Sequence, residues 1–387
     1  DRNRLETQRQ DLFRNHHPYI RTIVRRTRSF LETTIDPATN EPFLKPVLVR
    51  LFGEGDAESI ILPAFLERAY HHAEGFCQAL SEREGFNSGF LRTMLLRRVG
   101  STIEAGRRTA LKMLGQTLTE DDVDEDDDTQ RVSALYPLLE SERIHLQAFA
   151  DTLAESTDED PKLFEVIRKL DAGWLELGCI VFSQYFDSAY WLAEKLSGRY
   201  PKERIAIYAG SNKSGIMLAG EFTPLSREEI KAQVQRAEIR LLVGTDAASE
   251  GLNLQRLGTL INLDLPWNPT RLEQRKGRIQ RIGQVRDTVD IYNMRYRGSV
   301  EDRVHQLLST RLENVMDMFG QIPDTLEDVW VQVAMGNIKA AQEIIDEVPP
   351  AHPFEMRYDR VENVNWESCS RVLDNQVQLD VLRKAWS

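Results

Sequence analysis

A chain of 387 residues with 41% hydrophobic and 28% charged content is long enough for two or three domains and a sizeable core. No apolar run approaches the roughly 20 residues of a membrane span, and the opening DRNRLETQRQ lacks a signal peptide's apolar stretch, so a cytoplasmic protein without a membrane partner is expected. The scattered Cys77, Cys179 and Cys369 exclude a disulfide scaffold or zinc site, and the net charge of -12 argues at first against a nucleic-acid binder.

Much of that acidity is local, in the block from Glu120 to Asp128, which reads as a solvated linker. Basic residues gather elsewhere: Arg21, Arg25, Arg26 and Arg28, then Arg97, Arg98, Arg107 and Arg108, then an arginine-rich stretch near residue 278. Such segregation allows a cationic groove on an acidic protein.

Residues 1–31 carry a helical apolar pattern with a basic face. Residues 46–52 read as an extended connection able to add a strand to a neighbouring sheet, closed by Gly53-Glu54-Gly55. Helical periodicity returns over 59–118 and 136–153, and Asp160-Pro161 opens a further helix with proline in its first turn. The adjacent pairs His16-His17 and His71-His72 point their side chains apart on a helix, which disfavours metal ligation.

From residue 179 the pattern alternates. Residues 179–182 form an apolar strand ending at Ser183-Gln184, and 187–196 a helix. Residues 204–208 form a strand, 209–223 a Gly- and Ser-rich segment, and Ser226 with Glu229 a capping box for a helix to Val234. Strands at 239–243, 259–263 and 288–293 complete a doubly wound parallel sheet, with function expected at the strands' carboxyl ends. Gly210 to Gly215 lacks the order of a phosphate-binding loop.

The residues between the last three strands carry the chemistry. Thr245 and Asp246 leave one strand, and Glu250-Gly251-Leu252-Asn253 makes a turn whose glycine lets backbone approach a phosphate. Pro266 to Pro269 stops the next strand, and Thr270 caps a helix through Arg271, Gln274, Arg275, Gly277, Arg278 and Arg281. Arg278 and Arg281, three residues apart, share a helix face and suit a polyanion, as phosphoryl transfer requires.

Those residues resemble a known family. Thr245-Asp246 through Glu250-Gly251-Leu252-Asn253-Leu254-Gln255 is similar to motif V of superfamily-two helicases. Gln274-x-x-Gly277-Arg278-x-x-Arg281-x-Gly283-Gln284 is similar to motif VI, and the INLDLPWNP segment between them is also typical of the family. The closing arginine-x-glycine-glutamine resembles the SWI/SNF-like DNA translocases, including RapA-like proteins. Ser183 and Gln184 resemble motif IV.

The resemblance implies an α/β fold: a RecA-like helicase C-terminal lobe with a mostly helical N-terminal insertion and a helical C-terminal brace. Residues 1–57 would be the exit of a first ATPase lobe, 58–157 an inter-lobe insertion with the acidic linker at 119–130, 158–310 the second lobe, and 311–387 the brace. Arg278 and Arg281 would be catalytic arginine fingers. Gly251, Glu250, Gln274, Arg278 and Arg281 would face ATP, while Ser183, Gln184, Thr245, Asp246 and Asn253 would face nucleic acid. Gln274 and Gln284 would order the arginine helix, with Trp267 bracing it.

A phosphate-loop lysine and a magnesium-binding Asp-Glu box are missing from these residues; Asp346-Glu347 and Asp124-Glu125 match the box only by letters. The expectation is a C-terminal half that takes ATP, with Mg2+ ligated by a missing N-terminal ATPase lobe, and that hydrolyses none alone. Its expected partners are double-stranded DNA, that lobe and proteins of a larger prokaryotic complex. The alternative is a non-catalytic nucleic-acid-binding or regulatory lobe. A Rossmann enzyme would need a GxGxxG after its first strand, which is lacking.

Overall fold

Apolar residues recur at helical spacing between positions 64 and 154, and in the computed structural model they form four helices: α1 (Ala64–Ser81), α2 (Ser88–Ser101), α3 (Ile103–Met113) and α4 (Glu140–Ala154). The structure describes residues 35, 42, 45, 47–81, 88–115, 138–155, 160–210, 213–246, 254–266, 269–280, 283–299, 302–304, 329, 332–333 and 336–347. Leu66, Ala69, Ala73, Phe76 and Leu80 of α1 are buried, as are Leu146, Phe149, Ala150 and Leu153 of α4. These two helices approach so closely that a Cβ on Gly75 would stand 2.5 Å from the His145 ring. Thr102 caps α3 by accepting from the Ala105 amide at 3.1 Å, and the Glu142 carboxylate caps α4 at the Leu139 amide.

The arginines expected to form a basic face here are occupied. Arg107 and Arg108 both bond Glu104, at 2.8 Å each through Nε, and Arg98 is buried. Burial raises the Glu104 pKa, but the two guanidiniums more than offset it and hold the carboxyl below its ordinary value.

Two compact units divide the chain. Ile60–Asp158, Leu265–Glu273 and Arg295–Ser387 make one. The other comprises Asp1–Ser59, Glu159–Asp264 and Gln274–Met294. It holds an eight-stranded sheet. Its strands are β1 (Leu48–Phe52), β2 (Cys179–Ser183), β3 (Ile205–Tyr208), β4 (Gly215–Leu218), β5 (Glu221–Pro224), β6 (Leu241–Thr245), β7 (Thr259–Asn262) and β8 (Thr288–Asn293).

The sheet order is β1-β8-β7-β2-β6-β3-β4-β5, and every neighbouring pair from β1 to β3 is parallel. Every residue of β2, β3, β6 and β7 is buried, as expected for parallel strands covered on both faces. Ile180, Phe182, Leu242 and Leu260 share one core cluster with Ile230 and Val234 of α7 (Arg227–Gln235) and with Ile279 of α8 (Pro269–Ile279). The helix α6 (Phe186–Arg199) packs on β2, β3 and β6 without joining that cluster, which places it on the opposite face. Helix α5 (Pro161–Lys169) precedes β2, with Asp160 accepting from the Lys162 amide as its cap.

One feature of the sheet departs from the sequence reading, and another bears it out. The Gly- and Ser-rich segment contains the β4–β5 hairpin, antiparallel to the rest, whose Ala219 and Gly220 both hold positive φ (50° and 84°) as a primed two-residue turn requires. The extended connection at 46–52 becomes β1, paired in register with β8 and fixed by Arg50 gripping Asp290 at 2.6 and 2.7 Å. The Lys169 ammonium lies 4.4 Å from the Phe52 ring, 4.6 Å from Tyr292 and 5.1 Å from Trp174, a cation enclosed by three aromatic faces. In the other unit, α9 (Ile338–Glu347) includes Asp346-Glu347 in its last turn.

Candidate nucleotide and nucleic-acid site

The carboxyl ends of the parallel strands lie along one sheet edge. β2 sits between β6 and β7, and the chain passes from β6 to β7 across it, so the winding direction reverses there. Such a reversal leaves a crevice at the strand ends, the preferred ligand position of open α/β sheets. Polar groups at the ends of buried strands must find partners, because desolvating them unpaired is costly.

Arg275 supplies the partner. Its side chain is 1% exposed. Nε and Nη2 grip the two Asp246 oxygens at 2.6 and 2.8 Å, and Nη1 donates to Asn262 Oδ1 at 2.9 Å and the Asp264 carbonyl at 3.0 Å. A longer contact of 3.5 Å joins Nη2 to the Asp264 carboxylate. That carboxylate, wholly buried, accepts from Ser183 Oγ at 2.6 Å and from the Gln184 amide at 2.9 Å. Burial acts to lower the Arg275 pKa, and the facing Asp246 and Asp264 charges reverse this, so the guanidinium stays firmly protonated.

The network runs on along the edge. Asn262 Nδ2 donates to Asn293 Oδ1 at 2.7 Å, and Asn293 in turn donates to Glu54 just beyond β1. Lys162, fully buried, donates through Nζ to the Leu263 carbonyl. One continuous set of hydrogen bonds therefore links Glu54, β8, β7, α8, β6 and β2.

Of the residues selected from sequence, Ser183 and Asp246 lie inside this network, and Thr245 is buried as the last residue of β6. Gln184 is half-buried and joins through its backbone. Gln274 is exposed on α8. Arg278 is half-buried, its Nε shielded from solvent without a hydrogen-bond partner, and its guanidinium pairs with no carboxylate among the described residues. Glu250, Gly251, Asn253, Trp267 and Arg281 lie outside the described residues.

The helix bearing Arg278 is stitched to the segment leaving β6. The Leu254 amide donates to the Arg278 carbonyl at 3.3 Å, and Val285 to Gln255 at 3.0 Å. Gln284 Nε2 donates to Ile279 O at 2.7 Å and Leu257 O at 3.1 Å, closing the C-terminus of α8 as the sequence reading expected of it. Gly283 holds φ +87°, a conformation that favours glycine, and a Cβ there would stand 2.9 Å from the movable Gln255 amide. Gly277 is different: it is exposed, and a Cβ there would meet nothing within 4 Å.

Sequence reasoning missed Arg275, Asn262, Asp264 and Lys162 as site residues. A signal existed for Arg275, which falls at the core-facing spacing between Leu272 and Ile279, where an arginine must be buried and paired. Among the described residues, no cluster of His, Cys, Asp and Glu could hold a metal, and no helix is long and apolar enough to cross a membrane.

The helicase conserved C-terminal domain family matches residues 176–283. An uncharacterised ATP-dependent helicase, YqhH, of Bacillus subtilis (strain 168) is 42% identical over 104 residues, 27% of this chain and 18% of that protein. The RNA polymerase-associated protein RapA of Vibrio atlanticus (strain LGP32) is 27% identical over 214 residues, 48% of this chain and 20% of that protein. The chain thus matches about a fifth of the length of these relatives. Among solved structures, the C-terminal part of the Fun30 ATPase domain aligns with a TM-score of 0.46 at 15% identity, over 78% of this chain and 99% of that one. The Hef helicase domain of Pyrococcus furiosus gives 0.41 at 16%, over 70% and 59%. Residues 176–283 match the helicase conserved C-terminal domain family on a mostly parallel α/β sheet, and over part of its length the chain resembles SWI/SNF-like, RapA-like superfamily-two helicases.

Proposed function

We propose that this chain is the C-terminal half of an ATP-driven, SWI/SNF-like translocase on double-stranded DNA, and that Arg278 is its arginine finger. One observation carries the reading: Arg278 stands on a helix whose C-terminal end is held by hydrogen bonds to the Arg278 and Ile279 carbonyls, yet its guanidinium has no carboxylate partner among the described residues. A half-buried cation held this way is preorganised for an anion brought from outside. Gly277 supports it, since a glycine inside a helix costs about 0.5–1 kcal/mol relative to alanine. No described neighbour requires that glycine, so the bare helix face is free for close approach.

ATP, once bound, supplies a transferable γ-phosphoryl group whose developing negative charge needs a cation. Arg278 would meet that charge, with Arg281 beside it in sequence, and Gln274 would lie on the same exposed side. Glu250 and Gly251 would shape the turn after β6, and Mg2+ would be ligated by another domain. Thr245, Gln184 and Asn253 remain the candidates for the nucleic-acid side. Ser183 and Asp246 would act by positioning, because their oxygens already hold Asp264 and Arg275. Transcription proteins are the partner class to test first, given the relatives named RNA polymerase-associated.

The test is Arg278→Ala in the native protein that carries these residues. Turnover of ATP should fall by roughly three to five decades, while duplex DNA binding stays within about twofold. Preserved turnover with lost DNA binding would reverse the assignment.

A further inference from the structure

We propose that Arg275 is a positioning residue that sets the direction of Arg278, an inference that rests on the finger reading above. A guanidinium has five N–H donors, and the contacts of Arg275 number five: two to the Asp246 carboxylate, one to Asn262 Oδ1, one to the Asp264 carbonyl and the long one to the Asp264 carboxylate. A side chain so committed, and 1% exposed, has nothing left for a ligand. Its charge acts on the protein itself.

Its position defines what it acts on. Three residues along α8 correspond to a rotation of roughly 60° short of a full turn, so Arg275 and Arg278 lie on adjoining stripes of one helix. Arg275 fixes that helix about its axis against the ends of β6 and β7, since Asp246 follows β6 and Asn262 closes β7. Gln284 and Leu254 fix the same helix at its C-terminal turn. Rotating α8 would break the Asp246 fork before it moved Arg278 by a side-chain width. The planar fork is what the site needs: a lysine retains the charge but cannot span both Asp246 oxygens and reach Asn262 in one plane.

The same carboxylate shell joins the Arg278 helix to the motif IV strand, because Asp264 also accepts from Ser183 Oγ and the Gln184 amide. The orientation of the finger is therefore tied to the end of β2 by buried hydrogen bonds rather than by the exposed helix surface.

The experiment is a double-mutant cycle on the native protein, pairing Arg275→Lys with Arg278→Lys and reading kcat, the KM for ATP, duplex DNA affinity and Tm. With Arg278 present, Arg275→Lys should lower kcat by about 10- to 100-fold, the scale of a misplacement near 1 Å, with KM and DNA affinity within about twofold. In the Arg278→Lys background it should lower kcat no further, while its effect on Tm remains the same. Equal losses of kcat in both backgrounds, or an unchanged kcat, would overturn the proposal. Should Arg275→Lys not fold, Asp246→Asn preserves shape while removing one charge, and the same background-dependent loss of kcat is expected; a background-independent loss overturns it. If Arg278→Ala keeps normal turnover, the finger reading itself fails, an outcome recognisable without any Arg275 variant.

Discussion

Three residues separate two arginines with opposite circumstances. Arg275 is buried among carboxylates and carbonyls, and Arg278 keeps its guanidinium unpaired by acid groups among the described residues. Composition cannot tell them apart, but environment can, because a buried cation is retained only where acceptors meet it. Environment governs His72 as well. It is half-buried on α1, and its pKa is lowered by burial first and by the neighbouring His145, His71 and Arg68 charges second. A histidine whose folded pKa lies below its unfolded value binds fewer protons when folded. The stability it permits is complete above the unfolded pKa of 6.5 and is lost as pH falls from there toward the lowered folded value. Thermal melting between about pH 7.5 and 5 should show the native protein losing stability more steeply than His72→Gln. Equal slopes would remove His72 from the account. The buried thiols Cys77 and Cys179, each pushed up to about 12 by desolvation, stay protonated throughout that range.

Among the elements, the parallel strands were the most legible, because short unbroken apolar runs such as 179–182 and 241–243, each followed by polar or glycine residues, suit strands covered on both faces. The β4–β5 hairpin was hidden by its glycines and serines, although GIML-AG-EFTP carries strand residues on either side of a two-residue turn. Arg275 was legible as a helix residue but not as the centre of the network. Its partners Asp246, Asn262 and Asp264 converge through strand order, which no local pattern contains. β1 depends on a single backbone position at its exit. Gly53 holds φ +84°, and a Cβ there would stand 2.1 Å from the Asn293 carbonyl. Gly53→Ala should therefore cost at least about 1–3 kcal/mol, measurable as a lower urea midpoint. Because Asn293 bonds Asn262, the variant should also disturb the Arg275 shell. An unchanged midpoint would mean that β1 contributes little to the folded unit.

For the whole molecule, residues 176–283 match the helicase C-terminal domain family, and the 387 residues carry no phosphate-loop sequence. Purified alone, the chain is expected to show no ATP turnover above background, with or without duplex DNA, and turnover should appear only with a domain that supplies the phosphate loop. DNA-stimulated hydrolysis by the isolated chain would contradict the division of labour proposed for Arg278. Of the net charge of -12, the acidic run between residues 120 and 128 carries a large share, so the overall balance says little about any one face.

The pairing of β1 with β8 joins Leu48 to Thr288. During synthesis the early strand must wait, its edge unsatisfied, while well over a hundred intervening residues emerge and the rest of the sheet assembles. Closing that seam bears the entropic burden of a long loop and belongs among the slow events of folding. A ribosome stalled before residue 288 would thus display an adhesive ribbon bearing the exposed side chains of Leu48 and Leu51, a natural target for chaperone capture.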